Sequence, residues 1–197
     1  MNRLTLLKLM VLALVATMPL ITWAGGDADP AKMEAWAKAM TPGESHAELA
    51  DLAGEWRYTV TIWEDAKGEP TVLEGVSLKT MIMGGRFLRE ELTGEFMGQL
   101  FKGYGLTGHD NVTGEFVSVW LDNMGTGIHF YTGEETGRGE RTYTSTVHDP
   151  MSGKAMTTRS VGRTIDRDNH NFESYMTLPD GTEFLHMQVD YTRAGSH

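Results

Sequence analysis

Between Gly54 and Thr192 the chain is cut into about ten runs of six to twelve residues, rich in Val, Ile, Thr, Phe, Tyr and Trp and closed by Gly, Asp, Asn or Pro. They fall at 55–64, 72–83, 86–96, 100–109, 115–122, 127–133, 140–148, 155–165, 171–177 and 183–192. Runs of this length and composition read as strands. The links between them are short and carry turn chemistry: Asp65 to Pro70, Gly84-Gly85, Met97-Gly98, Asp110 to Gly114, Asn123 to Gly125, Asp149 to Gly153, Asp166 to Asn169 and Pro179 to Gly181. Such links join antiparallel neighbours, whereas a parallel crossover needs a dozen or more residues. The absence of βαβ spacing excludes Rossmann and TIM architectures. A meander of hairpins favours closure over a sandwich, because closure removes exposed edges. The predicted fold is all-β, an antiparallel up-and-down barrel of about ten strands with one or two short N-terminal helices.

Alternation bears on how such a barrel is filled. In the first run Trp56, Tyr58, Val60 and Ile62 share one face and Glu55, Arg57, Thr59 and Thr61 the other, a plain inside and outside. Later runs are polar on both faces: Arg86, Leu88, Glu90 and Leu92 alternate with Phe87, Arg89, Glu91 and Thr93, and Met156 to Gly162 with Thr157 to Arg163. Either one inner half of the barrel is polar, or these strands flatten or shift register. Eight strands can just hold a small ligand, and ten leave more room.

Ahead of the strands, Asp29-Pro30 places an N-cap residue and a first-turn proline before Ala31 to Met40, with Met33, Trp36, Ala37 and Met40 at helical spacing. Thr41-Pro42-Gly43 ends that helix, and Glu44 to Leu52 can form one or two more turns. Residues 1–24 combine Arg3 and Lys8, the apolar run Leu9 to Val15 and Ala24 as a small residue before a cut, which reads as a secretory signal peptide. Pro19 interrupts a stretch barely long enough to span a bilayer, so a membrane anchor is disfavoured and no span is expected after cleavage. The expected organisation is a signal peptide at 1–24, a leader and amphipathic helix at 25–43, a barrel domain at 44–193 and a tail at 194–197, in the periplasm or secreted.

Seventeen Lys+Arg against 27 Asp+Glu give −10, and loss of Arg3 and Lys8 with the leader leaves 15 against 27, or −12. So acidic a chain lacks the basic surface that phosphate neutralisation needs, so no nucleic-acid partner is expected. With no cysteine, thiol catalysis, Fe–S clusters and Cys-based zinc sites are excluded.

Gly54-Glu-Trp56 opens the first strand after a short helix, and the last strand ends Tyr191-Thr-Arg193. This resembles the calycin signature, in which the first-strand Trp closes the barrel floor and a final-strand basic residue packs over it. Pro42 to Trp56, Gly84-Gly-Arg-Phe-Leu88, Gly94-Glu-Phe-Met-Gly98, Gly108 to Thr113, Val117 to Asp122, Asp149 to Lys154 and Tyr191 to Arg193 extend the pattern. Together they are similar to the bacterial lipocalin-like family catalogued as domain of unknown function 1579, over roughly residues 42–193. His109 departs from that family, which more often has Tyr in its Gly-Tyr-Asp turn. The resemblance implies a calycin-like barrel, assigns Gly54, Trp56 and Arg193 to barrel closure, and supplies no reaction.

Seven histidines show no pairing at metal-motif spacing, so no metal site is expected. His46 lies on a segment that would cross one end of the barrel, where it can bond a ligand or cap its helix. The related nitrobindins hold haem through a late histidine, but His186 on a polar strand face reads as solvated, and no cofactor is expected. Arg86, Glu90, Asp122, Arg159 and Glu173 sit outside turns and, if inward, orient a ligand or act as acid and base. Arg89, Glu91 and Arg163 read as an outer ladder. Trp120 and Asp122 share a face, an aromatic wall beside a carboxylate. The methionines read as core, and Gly103-Tyr-Gly105 as relief of barrel curvature. No Gly-x-Ser-x-Gly elbow marks a serine hydrolase, and no catalytic residue is assigned.

Three function classes follow. The leading one is binding of a small, partly apolar molecule in a barrel cavity by Trp120, Asp122, Glu90, Arg86, Arg159, Glu173 and His46. An isomerase- or hydrolase-type enzyme on the same barrel would use its carboxylates or histidine, and an envelope interaction module would need only a filled barrel and an exposed apolar patch.

Overall fold

The computed structural model describes residues 29–65, 68–148, 152–178 and 180–195. The signal-peptide and leader segment to Ala28, the Asp149-Pro150 turn and His197 lie outside the described residues. The chain divides into two compact units, 1–37 and 38–197. Helix α1 (Pro30–Met40) begins in the first, where Asp29 Oδ1 accepts the Ala31 N–H at 3.1 Å, and its residues 38–40 fall in the second. Helix α2 (Glu44–Asp51) and all ten strands belong to the second unit.

The strands are β1 (Gly54–Ile62), β2 (Thr71–Ile82), β3 (Phe87–Phe96), β4 (Gln99–Asp110), β5 (Glu115–Asp122), β6 (His129–Gly137), β7 (Glu140–His148), β8 (Ala155–Thr164), β9 (Asn169–Thr177) and β10 (Glu183–Arg193). Each pairs antiparallel with its sequence neighbours, and β1 pairs with β10 to close the barrel. The all-β up-and-down barrel is therefore as the turn spacing predicts. The largest boundary difference is β6, which runs to Gly137 rather than to residue 133. Its polar extension pairs Glu134 with Thr142 and Glu135 with Arg141, so a segment that reads as a turn is held by cross-strand partners.

Register settles which face looks inward. Trp56 lies opposite Ser77, Lys79 opposite Glu90, Gly105 opposite Trp120, and Gly162 opposite Phe172. Following these pairs around the barrel places Trp56, Tyr58, Ser77, Lys79, Glu90, Trp120, Tyr143, Ser160 and His170 on the inner face. The inner half formed by β8 and β9 is polar, with Ser160 donating to Ser174 at 3.1 Å.

One end is sealed by α2. Leu49 is buried against Leu88, Phe116 and Tyr143, and Glu48 meets Arg141 at 2.6 Å. The Trp56 indole donates to the Leu52 carbonyl at 2.9 Å. Arg193 lies 4.2 Å over the Trp56 ring and donates to the carbonyls of Ala53 and Asp51, each at 2.9 Å. Gly54, at φ +138°, takes a backbone conformation that side chains rarely adopt, and a β-carbon there would meet Arg193. Gly54, Trp56 and Arg193, which the calycin resemblance assigns to closure, lie together at this end.

Gly103 does more than relieve curvature. A β-carbon there would run into the six-membered ring of Trp120, so Gly103 is the seat of that indole. Overpacking typically costs about 1–3 kcal/mol, and Gly103→Val is expected to lose that much in urea unfolding; wild-type stability in this variant would contradict the seating.

Candidate functional site

The barrel holds a cavity of about 440 Å³. Its wall is mostly apolar, with Val60, Leu88, Leu92, Phe101, Phe172 and Val189 among the lining side chains. Trp120 forms one side, its Nε1 donating to Asp122 Oδ2 at 2.9 Å. Asp122 Oδ1 also accepts the backbone N–H groups of Met124 and Gly125, at 2.9 and 3.2 Å, and so fixes the loop after β5.

A polar cluster sits in this wall near the sealed end. Lys79, 6% exposed, lies 3.5 Å from Glu90 Oε1, 3.2 Å from His170 Nε2 and 3.9 Å over the Tyr191 ring. Ser77 donates to Glu90 at 2.6 Å. His170 stacks on Tyr191 at 4.2 Å and meets the Trp56 ring edge-on at 4.5 Å. Burial drives the shifts here. It lowers Lys79 against the opposing pull of Glu90. It also pushes His170 down to about 2, with Lys79 and Arg193 adding to the effect. Tyr191 is raised well above its ordinary value by burial and by Glu90. The cluster holds one compensated ion pair and a neutral imidazole, the arrangement a buried charge requires.

Of the residues singled out from sequence, the cavity brings together Glu90, Trp120 and Asp122. Arg159 and Glu173 lie on the outer face. Arg159 forms a bidentate pair with Glu183 at 2.9 and 2.7 Å over the Tyr175 ring, and Glu173 joins Arg163 at 2.6 Å and Tyr175 at 2.7 Å. Mid-strand position does not distinguish the two faces, and register puts both outside. Arg86 is exposed in the turn after β2, donating to the carbonyls of Met83 and Met40 at 3.2 and 2.8 Å. His46 caps its own helix: Nδ1 accepts the Gly43 N–H at 3.1 Å, the part a Glu plays in a capping box. Burial, then His109 and Arg86, lower its pKa.

Two placements depart from the expectations above. A bulge between Leu185 and Met187 breaks the alternation of β10, and His186 is half-buried with Nε2 3.0 Å from Ser174 Oγ instead of standing on a solvated face. Ser77 and Lys79 escaped the sequence reading because the apolar residues of that stretch, Val76 and Leu78, face outward at 59% and 42% exposure. Only the pairing of Trp56 with Ser77 reveals the inversion. Among the described residues no group of three or more His, Asp or Glu is arranged to hold a metal ion.

The model of a family described as "Protein of unknown function (DUF1579)" matches residues 41–193. No curated protein matches the sequence. Among solved structures, the S-type phycobiliprotein lyase CPES from Guillardia theta is 11% identical, with 82% of this chain and 98% of that chain covered at a TM-score of 0.51. At that identity the likeness is one of fold. A redesigned β-barrel, b11L5F_LGL, is 14% identical over 74% of this chain and 94% of its own, at a TM-score of 0.38.

The His170 shift has a measurable sign. The unfolded chain protonates this imidazole near its ordinary 6.5 and the folded one only at about 2, so stability falls as pH drops below 6.5. One such proton is worth about 1.4 kcal/mol per pH unit. His170→Gln keeps an acceptor for Lys79 and removes the titration, so its unfolding free energy should fall less steeply with acid, by about one proton, between about pH 6 and about pH 4.5. His46 and His186 shift in the same direction in both proteins; equal slopes would reject the account of His170.

Proposed function

The chain belongs to the DUF1579 family, and we propose that it is an exported lipocalin-like carrier holding one small, partly apolar molecule inside its barrel. The observation that carries this reading is the cavity of about 440 Å³ inside the barrel, with its predominantly apolar wall. Pockets of about 300–1,000 Å³ lined by apolar and aromatic groups with a few placed polar atoms are what small-molecule sites look like. An interaction module predicts a filled barrel, which the cavity argues against. A catalytic reading gains little from His170, whose ring is wedged between Trp56 and Tyr191 with Nε2 engaged by Lys79. His46 and Glu173, two other candidates for acid–base work, are engaged in a helix cap and an outer ion pair.

Among the described residues no helix is long and apolar enough to cross a membrane. Export rests on residues 1–24: the basic start, apolar run and Ala24 favour removal of the segment. Intact mass of protein recovered from a periplasmic or secreted fraction should match a chain beginning at Gly25. Recovery of only the uncut chain in the cytoplasm would reject this part of the proposal.

Binding is tested with Nile red, an uncharged dye whose emission shifts to the blue in apolar surroundings. Saturable binding is expected, accompanied by loss of Trp120 fluorescence. Val60→Trp puts bulk into the cavity and should weaken binding by at least about tenfold, with a cooperative melt retained. Absence of a saturable signal, or undiminished binding by the filled variant, would sink the carrier reading.

A further inference from the structure

We propose that the cavity's occupant carries no anionic group, is apolar over most of its length, and bears a hydrogen-bond-accepting oxygen that meets a tyrosine hydroxyl. The inference rests on the carrier reading and names its ligand class.

The cations of the wall are already matched within the protein. Lys79 faces Glu90, and Glu90 also takes the Ser77 hydroxyl. Arg141 is paired with Glu48 at 2.6 Å. Asp122 is occupied by the Trp120 indole and two backbone N–H groups, and Arg163 is held by Glu140 and Glu173 on the outer ladder. His170 is neutral. A carboxylate entering this space would find no unpaired cation and would meet Asp122 and Glu95, two lining carboxylates without a cationic partner among the described residues, and an unpaired buried ion is expensive. A carboxylate near the cluster would also face Glu90 in competition for Lys79.

What the wall does offer is neutral donors. Tyr58, Tyr131 and Tyr143 line the cavity, and no side-chain or backbone hydrogen bond among the described residues reaches their hydroxyls. Burial raises the pKa of all three, Tyr58 and Tyr143 to about 12, which keeps each a neutral O–H. Tyr58 is only 4% exposed, and its hydroxyl lies over Gly75 and Gly94, where a β-carbon on either glycine would strike it. Once a ligand fills the cavity, a hydroxyl covered by it and left without a partner costs about 1–3 kcal/mol. A carbonyl, ether or alcohol oxygen on a ligand satisfies it, as two facing glycines hold it in place.

The test uses the full mature chain with Nile red bound, displaced by a straight-chain series of about ten carbons at about pH 8: the alcohol, the methyl ketone and the carboxylic acid, the last ionised. The alcohol and ketone should displace at concentrations at least about tenfold lower than the ionised acid. Tyr58→Phe should shrink the ketone's advantage over the acid by about threefold to tenfold, each displacement being read against that variant's own Nile red affinity because the ring carbonyl of Nile red is itself an acceptor. Tyr143→Phe serves as the second variant should Tyr58→Phe fail to fold. Equal or better displacement by the acid, no displacement by any of the three, or an undiminished ketone advantage in the folded variants would overturn the ligand class while Nile red binding stands. Failure of Nile red to bind would instead bring down the carrier reading beneath it.

Discussion

The pairing of β1 with β10 is the constraint on which the rest depends. It joins Trp56 through Ile62 to Met187 through Arg193, segments from opposite ends of the domain. Nothing local rewards this contact, and the loop-closure entropy must be met by non-local gains. Arg193 supplies several at one place: it covers the Trp56 ring and gathers the carbonyls of Ala53, Asp51 and Arg167. Closure leaves no unpaired strand edge, and it also defines an inside. Without it the wall of Val60, Leu92 and Val189 would be an exposed apolar face.

Closure also sets the terms for the polar groups it encloses. A buried ion pair rarely stabilises a fold relative to an apolar filling, yet Lys79 and Glu90 stand opposite each other on β2 and β3, with His170 and Tyr191 joining from β9 and β10. The cluster therefore bridges the closure seam from both sides. It is a poor source of stability and a good keeper of register, because a one-residue slip would turn Lys79 or Glu90 outward and strand its partner. The acid sensitivity assigned to His170 has the same origin, since an imidazole wedged between two rings beside an ammonium has no room for a second proton.

The architecture was legible because turn chemistry is local: Gly84-Gly85, Met97-Gly98 and Asn123 to Gly125 announce hairpins whatever the rest of the chain does. The closing residues were legible through the Gly-x-Trp pattern. Inside and outside were legible only where hydrophobicity follows burial, as in β1. In β2 it does not, because Val76 and Leu78 face water while Ser77 and Lys79 face the cavity. Arg159 and Glu173 resemble Glu90 in sequence, each a charge in mid-strand, and differ only in pairing partners many residues away. His186 eluded alternation for another reason, a bulge that resets it. Of the candidate site, then, the carboxylate and indole at Glu90 and Trp120 could be read from the chain. The lysine, histidine and tyrosines around them needed the register of the whole barrel.

The cavity itself follows from where the glycines stand. Tyr58 lies over Gly75 and Gly94, Trp120 over Gly103, and Tyr143 beside Gly133, where added β-carbons would strike the rings. A ring standing out from a strand would reach toward the middle of the barrel and fill it, whereas a ring laid along its neighbours' backbone thickens the wall and leaves the centre open. Glycine in a strand interior sacrifices packing and conformational entropy, and here that sacrifice recurs beside three different aromatic residues on separate parts of the sheet. Interior density alone would favour larger residues at these positions. A repeated local cost of this kind, spread over β2, β3, β4 and β6, makes sense for a barrel whose open centre has a use.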